Sequence, residues 1–194
     1  MPTKVYSENL FSKDFNILID DLNNGGIIIY PTETIWAIGC KSTIKRSVQK
    51  IYSIKNRSQT SPFINLIDSY LNISKYVNNI DSKTIKIASE INDPPTVIYP
   101  NCKKKFNYLS NTKNEIAFRV TPNQQIIKII KTLNAPLIST SANISGENYP
   151  KSIGNISSSI LNAVDVILNF DIKSSDKPSS IMKIKNGEIE YLRK

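Results

Sequence analysis

Apolar residues recur along the chain at spacings that alternate between helical and extended patterns. Phe15, Leu18 and Leu22 lie three and four residues apart, which places them on one face of a predicted helix, and Ser12 is its predicted N-cap. A continuous apolar run over residues 26–30 follows and is typical of a buried strand. The chain is therefore predicted to begin with a helix that leads into the interior of a sheet.

The same alternation continues through most of the chain. Four further helices are predicted, over residues 44–52, 85–91, 126–133 and 152–161. Thr43 is the predicted cap of the first of these four. Predicted strands occupy residues 63–67, 96–99, 115–120 and 164–168. The polar residues 101–114 are predicted to form a loop.

The clearest local pattern is centred on Asn186-Gly187. Residues 180–185 and 188–192 read as two strands, and Asn-Gly between them accepts the positive φ angles of a type I′ turn, so the pattern predicts a β-hairpin. Because strands and helices alternate throughout, we predict an α/β fold class, with one domain over residues 1–194 built on a mixed sheet.

Composition narrows the chemistry. The 194 residues carry 25 Lys and Arg against 16 Asp and Glu, and the resulting formal charge of +9 favours polyanionic partners such as nucleotides or RNA. Histidine is absent, which excludes a Ser-His or Cys-His relay and a histidine metal site. Cys40 and Cys102 are too few for a zinc site or a disulfide framework, so we expect no metal site and a reduced, cytoplasmic protein. No run of 18 apolar residues and no N-terminal apolar signal is present, so we expect no membrane association.

The first candidate ligand site is the segment Tyr30-Pro-Thr-Glu-Thr34. It follows a predicted buried strand, and ligands of α/β proteins bind where strands end. Two hydroxyls and one carboxylate there suit a small polar substrate. The alternative is a strand-end turn in which the threonines only cap a helix.

The second candidate is the basic stretch between residues 41 and 57, which has no acidic residue between Glu33 and Asp68. Lys55 and Arg57 lie at the predicted end of a helix, where two cations can bind phosphate oxygens by charge-assisted hydrogen bonds. The alternative is a solvated helix face whose cations match the helix dipole.

The third candidate is the run Ser139-Thr-Ser-Ala-Asn143, with Ser145-Gly146 beyond it. Small hydroxyl residues after a strand make a donor-rich turn that a ligand can approach closely. The alternative is an ordinary polar loop. Neither Gly-x-x-x-x-Gly-Lys-Ser/Thr nor Gly-x-Gly-x-x-Gly is present, so the motifs indicate neither a P-loop nor a dinucleotide-binding fold.

Taken together, these segments resemble the YrdC/Sua5/TsaC family over nearly the whole chain. The most specific pair is Tyr-Pro-Thr-Glu-Thr with Ser-Thr-Ser-Ala-Asn. The segments that carry the resemblance, in order, are Ile29-Tyr-Pro-Thr-Glu-Thr34, Lys55-Asn-Arg57, Ala117-Phe-Arg119-Val120, Ser139-Thr-Ser-Ala-Asn-Ile-Ser-Gly146, Pro178-Ser-Ser-Ile181 and Tyr191-Leu-Arg193.

The resemblance implies a threonylcarbamoyl-AMP synthase, in the short single-domain form. Such an enzyme joins L-threonine, bicarbonate and ATP into threonylcarbamoyl-adenylate and releases pyrophosphate, with Mg²⁺ accompanying the nucleotide. The product feeds the t6A modification at position 37 of tRNA through a downstream threonylcarbamoyl transferase machinery of the TsaD/TsaB/TsaE type. The implied fold is a twisted, open mixed sheet with flanking helices and a concave basic cavity.

The resemblance also implies roles for eleven residues. The implied catalytic residues are Lys55, Arg57, Ser141 and Asn143. Those implied to bind L-threonine are Thr34, Arg119, Ser139 and Ser179. Those implied to bind ATP are Arg57, Ser61, Ser141, Tyr149 and Arg193.

The sequence departs from the family pattern near two of these motifs. Ser61 stands where the family usually has a lysine, and Trp36-Ala37 replaces an aromatic residue followed by glycine. Because Pro31 ends a strand and Gly39 follows closely, we expect a loop that places Trp36 against the ligands.

Two other functions remain open from the residues alone. One is a non-catalytic module that binds structured RNA, weakly and through phosphate and shape, because no base-reading motif accompanies the positive charge. The other is a paralogue that acts on a different carbamoyl or adenylate substrate.

Overall fold

The computed structural model describes residues 4–6, 14–172, 174–175 and 177–194. Its strands are β1 (Lys4–Tyr6), β2 (Ile28–Tyr30), β3 (Ala37–Gly39), β4 (Ile64–Ile67), β5 (Thr96–Tyr99), β6 (Ile116–Val120), β7 (Leu137–Ser141), β8 (Val166–Leu168), β9 (Ile181–Lys185) and β10 (Glu188–Arg193). Its α-helices are α1 (Phe15–Asn23), α2 (Lys45–Ile54), α3 (Ser82–Ser89), α4 (Gln124–Leu133) and α5 (Ser158–Leu161). Short 3₁₀ helices lie at Tyr70–Lys75, Lys104–Leu109 and Ile153–Asn155.

The ten described strands form one mixed sheet in the order β1-β8-β2-β3-β7-β4-β6-β5-β9-β10. Neighbouring strands run parallel in the pairs β1–β8, β8–β2, β4–β6 and β5–β9. In the middle of the sheet, β7 pairs antiparallel with both β3 and β4. The predicted α/β class with a mixed sheet and flanking helices is confirmed.

Strand alternation sends apolar side chains to both faces of the sheet. On β2 and the residue before it, Ile27 and Ile29 join one core cluster, while Ile28 and Tyr30 join another. Helices α2 and α3 pack on the first face through residues such as Val48 and Ala88. Helices α1 and α4 pack on the second face.

The second face is only partly covered by helices. Leu137 on β7 and Leu66 on β4 belong to the cluster under α1 and α4. Beyond them, Ala117 on β6 and Ile98 on β5 pair in register on the same face and line a cavity instead. The position of helices α1 and α4 over one part of the sheet therefore leaves the concave surface on which the site is built.

Strands β3 and β7 approach unusually closely at Gly39. A Cβ added there would lie 1.9 Å from the backbone oxygen of Ile138. The Tyr30 hydroxyl donates to that same oxygen at 2.9 Å. Only glycine fits at this position without displacing the backbone of β7.

The helices predicted over residues 44–52, 85–91 and 126–133 are found within a few residues of those bounds, and the hairpin is confirmed. The helix predicted over residues 152–161 is wrong as one element, because the chain there forms a 3₁₀ helix at Ile153–Asn155 and the separate four-residue helix α5. Asn186 and Gly187 have φ angles of 54° and 86°, which suit the predicted type I′ turn. The prediction of Thr43 as a cap is wrong, because α2 begins at Lys45 and Ile44 occupies the N-cap position without a side-chain hydrogen bond. Ser12 lies outside the described residues.

Several short elements differ from the predictions. Strands β1 and β3 were not predicted, and the segment from Pro31 to Gly39 is a loop only as far as Trp36. The predicted loop over residues 101–114 contains one of the 3₁₀ helices. Within the described residues, no helix has the length and apolar content needed to cross a membrane.

Candidate functional site

A cavity of about 560 Å³ lies over the uncovered part of the second sheet face. Its volume falls within the range of roughly 300–1,000 Å³ that is typical of small-molecule sites. All eleven residues singled out from the sequence line it: Thr34, Lys55, Arg57, Ser61, Arg119, Ser139, Ser141, Asn143, Tyr149, Ser179 and Arg193. The structure therefore brings together groups that come from segments far apart in the sequence.

The loop after β2 presents Thr34 to the cavity. The Thr32 hydroxyl organises this loop, since its oxygen accepts from the amides of Thr34 and Ile35 at 3.2 and 3.1 Å. It also lies 2.9 Å from the Thr34 hydroxyl. Ser174 and Ser175 fasten the outer side of the loop by donating to the backbone oxygens of Thr34 and Glu33. Thr32 therefore shapes the turn that positions Thr34.

Arg119 on β6 lines the cavity and is, after Lys55, its second most buried cationic residue. Its side chain is 3% exposed, and its Nη2 lies 3.1 Å from Glu33 Oε1 and 3.7 Å from Asp93 Oδ1. Neither Nε nor Nη2 makes a hydrogen bond within the described residues. A buried guanidinium with unused donors beside a cavity is suited to bind a carboxylate in a bidentate manner.

Ser139 and Ser141 lie on a strand rather than in the predicted turn. Both belong to β7, where Ser139 pairs with Ile64 and Ser141 pairs with Ala37. Because side chains two residues apart share a face, this strand directs both serines to the cavity. The prediction of a donor-rich turn applies only to Asn143 and the residues that follow it.

Lys55 ends helix α2 and is almost fully buried, at 1% exposure. Its Nζ donates to the backbone oxygens of Ser141 and Asn143, and it lies 3.3 Å from Asn143 Oδ1. Burial lowers the pKa of Lys55 to about 8, and the nearby Arg57 charge adds to this effect, whereas Glu147 opposes it.

Arg57 is held against the other side of the cavity. Its Nε donates to the Ser61 backbone oxygen at 3.0 Å, and its Nη2 donates to the Pro62 oxygen at 3.3 Å. The guanidinium also lies over the Phe63 ring, 5.1 Å from the centroid. Burial lowers the pKa of Arg57 from its ordinary value, although an arginine stays charged at neutral pH.

The hairpin supplies the far wall of the cavity. Buried Ser179 lies 2.9 Å from the Thr96 hydroxyl on β5. Arg193, at the end of β10, donates to the Ser179 backbone oxygen from both Nε and Nη2, at 3.0 and 2.7 Å. Burial lowers the pKa of Arg193, and the charge of Arg119 lowers it further. Arg119 therefore acts electrostatically on Arg193 within one site.

Asn143 and Tyr149 belong to the segment after β7. The Asn143 amide nitrogen Nδ2 donates to the Glu147 backbone oxygen at 2.6 Å, which folds the segment back on itself. Tyr149 lies beyond this fold and is half-buried at the cavity wall.

Among the described residues, seven further polar residues line the cavity besides the eleven singled out from the sequence: Thr32, Glu33, Thr96, Asn111, Thr140, Ser145 and Glu147. Four of them, Thr32, Glu33, Thr140 and Ser145, lie within the motifs found in the sequence, whereas Thr96, Asn111 and Glu147 were not assigned a role. The prediction for Trp36 is wrong, because Trp36 packs against the core and does not line the cavity.

The lining carries four cationic side chains, from Lys55, Arg57, Arg119 and Arg193, against the carboxylates of Glu33 and Glu147. This balance favours anionic ligands. Within the described part of the chain, no three acidic, cysteine or histidine side chains group as a metal site would require.

Sequence and structure comparisons place the chain among known proteins. It is 29% identical over 171 residues to a threonylcarbamoyl-AMP synthase of Pseudoalteromonas translucida (strain TAC 125), covering 87% of this chain and 91% of that protein. Sua5 of P. abyssi, solved in complex with L-threonine, matches 100% of this chain with a TM-score of 0.86 at 19% identity, and the match covers 57% of the longer protein.

E. coli YciO matches 99% of the chain and 95% of its own length, with a TM-score of 0.81 at 20% identity. These likenesses confirm the twisted mixed sheet with flanking helices. A family model named for Sua5, YciO and YrdC, and described as "Telomere recombination", matches residues 20–194. Since that match spans nearly the whole chain, the protein belongs to the Sua5/YciO/YrdC family.

Proposed function

We propose that this protein is a threonylcarbamoyl-AMP synthase. In this reaction the amine of L-threonine combines with bicarbonate to give a carbamate and water. A carbamate oxygen then attacks the α-phosphorus of ATP, and pyrophosphate leaves. The observation that carries the proposal is a single cavity lined both by Arg119, two of whose donors make no hydrogen bond within the described residues, and by Arg57 and Ser141.

The region around Arg119 fits the amino acid. The guanidinium donors that make no hydrogen bond within the described residues suit the threonine carboxylate. Thr34, Ser139 and Ser179 also line the cavity and can offer hydroxyls to the substrate. The carboxylate of Glu33 lies next to Arg119, where it can face the ammonium group of an incoming amino acid.

The region around Arg57 fits the nucleotide phosphates. Arg57, Ser61, Ser141 and Asn143 all line the cavity, and Lys55 donates to the backbone oxygens of Ser141 and Asn143. Tyr149 and Arg193 extend the lining from the outer loop and from the hairpin. We propose that Arg57, Ser61, Ser141, Tyr149 and Arg193 bind ATP, and that the α-phosphate reacts at a centre formed by Arg57, Ser141 and Asn143 and supported by Lys55.

The chemistry requires positioning and charge neutralisation more than proton transfer. Holding the carbamate close to the α-phosphorus makes the step effectively unimolecular, and cations stabilise charge on the phosphoryl oxygens. This is compatible with a chain that contains no histidine. We propose that Mg²⁺ enters the site bound to the ATP phosphates, which are its usual ligands in nucleotide complexes.

The similar protein of P. translucida, which is named for this activity, supports the proposal, and so does the P. abyssi structure with L-threonine. We further propose that the product passes to a threonylcarbamoyl transferase machinery of the TsaD/TsaB/TsaE type for t6A modification of tRNA, and that the protein works in the cytoplasm. Direct contact with tRNA, if it occurs, would be weak and dependent on salt because phosphate contacts would dominate it.

Pyrophosphate release tests the proposal directly. We expect release from ATP only when both L-threonine and bicarbonate are present, and we expect the adenylate product by mass spectrometry. L-serine should react less efficiently, because a missing methyl group is worth about 1–3 kcal/mol in a fitted pocket. Equal release without threonine would contradict the assignment. Binding of RNA that persists at high salt, without pyrophosphate release, would favour an RNA-binding module instead.

A further inference from the structure

Lys55 occupies an unusual position for a cation of a phosphate-binding motif. It is the C-cap of α2, and its side chain passes beneath the segment that follows β7 instead of ending free in the cavity. The 141–147 loop comprises the last residue of β7, Ser141, together with the six residues that follow it. At 1% exposure, Lys55 is the most buried charged residue among those described.

The hydrogen bonds of Lys55 Nζ are all directed to this loop. A protonated lysine has three N–H donors. Three acceptors lie within reach of Nζ: the backbone oxygens of Ser141 and Asn143, and Asn143 Oδ1 at 3.3 Å. A phosphate oxygen could therefore be bound by Nζ only if one of these contacts were broken.

The backbone of Lys55 adds a second attachment to the same loop. The Ser145 amide donates to the Lys55 backbone oxygen at 2.9 Å. Inside the loop, the Asn143 amide donates to the Ser141 oxygen at 2.9 Å, and Asn143 Nδ2 donates to the Glu147 oxygen. Lys55, at the end of α2, thus contacts the 141–147 loop at Ser141, Asn143 and Ser145.

We propose that Lys55 is a positioning residue that fixes the 141–147 loop, and that it acts on the ligand through Ser141 and Asn143 rather than by direct contact. The cation binds two backbone oxygens of the loop, which would otherwise repel an anion in the cavity. The hydroxyl of Ser141 and the side chain of Asn143 remain at the cavity wall. The nature of the ligand, a nucleotide phosphate, rests on the proposed function, whereas the fixing of the loop does not.

Hydrogen exchange of the ligand-free protein tests the fixing of the loop. In Lys55→Met, we expect protection of the Ser145 amide and of the rest of the 141–147 loop to fall by about tenfold or more, because hydrogen bonds to a charged group are lost. The matched control is Lys45→Met, which removes an exposed cation from the same helix and should leave this protection unchanged. Unchanged protection in Lys55→Met would overturn the proposal.

Binding measurements separate positioning from general collapse of the site. Lys55→Met should weaken ATP binding by about tenfold while changing the dissociation constant of L-threonine by less than about threefold, since Arg119 lies on another strand. Lys55→Arg, which keeps the charge and the donors, should recover part of both loop protection and ATP affinity. Equal loss of both ligands, or no recovery with arginine, would contradict a specific positioning role.

A measurement on the unmodified protein covers the case in which Lys55→Met does not fold. Burial lowers the pKa of Lys55 to about 8, so at pH 8.5 much of the amine is unprotonated and would react readily with an acylating reagent if it were accessible. We expect Lys55 to be acylated far more slowly than exposed Lys45, with and without ATP. Rapid acylation that ATP prevents would show that the amine contacts the nucleotide, and would refute the proposal. Neither this measurement nor the hydrogen exchange depends on pyrophosphate release, so the proposed function can fail separately.

Discussion

Replacing Arg119 with lysine tests the proposed threonine site most directly. The guanidinium offers Nε and Nη2 as donors that have no hydrogen-bond partner among the described residues, and both lie on a side chain that is 3% exposed. Lysine keeps the positive charge but replaces the planar fork with a single ammonium. The substitution therefore changes the number and geometry of the contacts, while the local charge stays the same.

The size of the effect follows from the contact that is lost. A hydrogen bond to a charged group contributes about 1.5–3 kcal/mol. If the fork makes two such bonds to the threonine carboxylate and the ammonium makes one, the loss corresponds to roughly a 10- to 160-fold weaker binding of L-threonine. The affinity for ATP should change by less than about threefold, because the groups proposed to bind the phosphates come from other segments.

Calorimetric titration with L-threonine, and separately with ATP and Mg²⁺, measures both affinities. The matched control is Arg46→Lys, an exposed arginine on α2 that donates to the backbone oxygen of Asn24. This control should leave both affinities unchanged. Unaltered threonine binding in Arg119→Lys, or an equal loss of ATP affinity, would refute the placement of the amino-acid carboxylate at Arg119.

Three further changes probe the rest of the site and the fold. Arg57→Ala should lower the rate of pyrophosphate formation by roughly 10- to 100-fold, whereas Arg46→Ala should leave it unchanged, because Arg57 lines the cavity and Arg46 does not. Similar rates for the two variants in steady-state assays would contradict this prediction. Ser61→Lys should tighten ATP binding by about fivefold or less, because an exposed ion pair is worth about 1 kcal/mol at most. An unchanged dissociation constant for ATP would argue against phosphates near Ser61. Gly39→Ala should lower the free energy of unfolding by about 3 kcal/mol. The control Gly154→Ala, whose Cβ would lie 3.8 Å from its nearest neighbour, should have the same melting temperature as the parent protein. Equal melting temperatures of the two variants would count against the close approach of β3 and β7.

The sequence predicts the long periodic elements well because their signals are local. The apolar faces of α2 and α4 and the Asn-Gly turn depend only on nearby residues, and all three are found. Strands β1 and β3 have three residues each, and unlike the equally short β2 and β8 they do not lie within an apolar run that is predicted as a strand. Their positions depend on pairing with β8 and β7, which lie far away in the sequence.

The candidate site shows the same division. The residue types could be found from their motifs, but their mutual arrangement depends on contacts over long sequence separations. Lys55 meets Ser141 and Asn143, which lie 86 and 88 residues away, and no local pattern indicates that its amine is directed to their backbone oxygens. Likewise, Ser139 and Ser141 appear as turn residues from their polarity, whereas pairing with β3 and β4 makes them part of a strand.

The partial cover of the second sheet face has a consequence for how the protein responds to its ligands. Beyond the part of the sheet that α1 and α4 cover, Ile64, Ile98 and Ala117 line the cavity. A bound ligand would cover this part of the second sheet face as α1 and α4 cover the rest. It would therefore contribute to the protein interior only while it is bound. Ligand present at 100 times its dissociation constant adds about 2.7 kcal/mol to the free energy of unfolding. For a chain of this size, that corresponds to a rise of about 5–11 °C in melting temperature, so the folded fraction under heat stress would follow the supply of substrate.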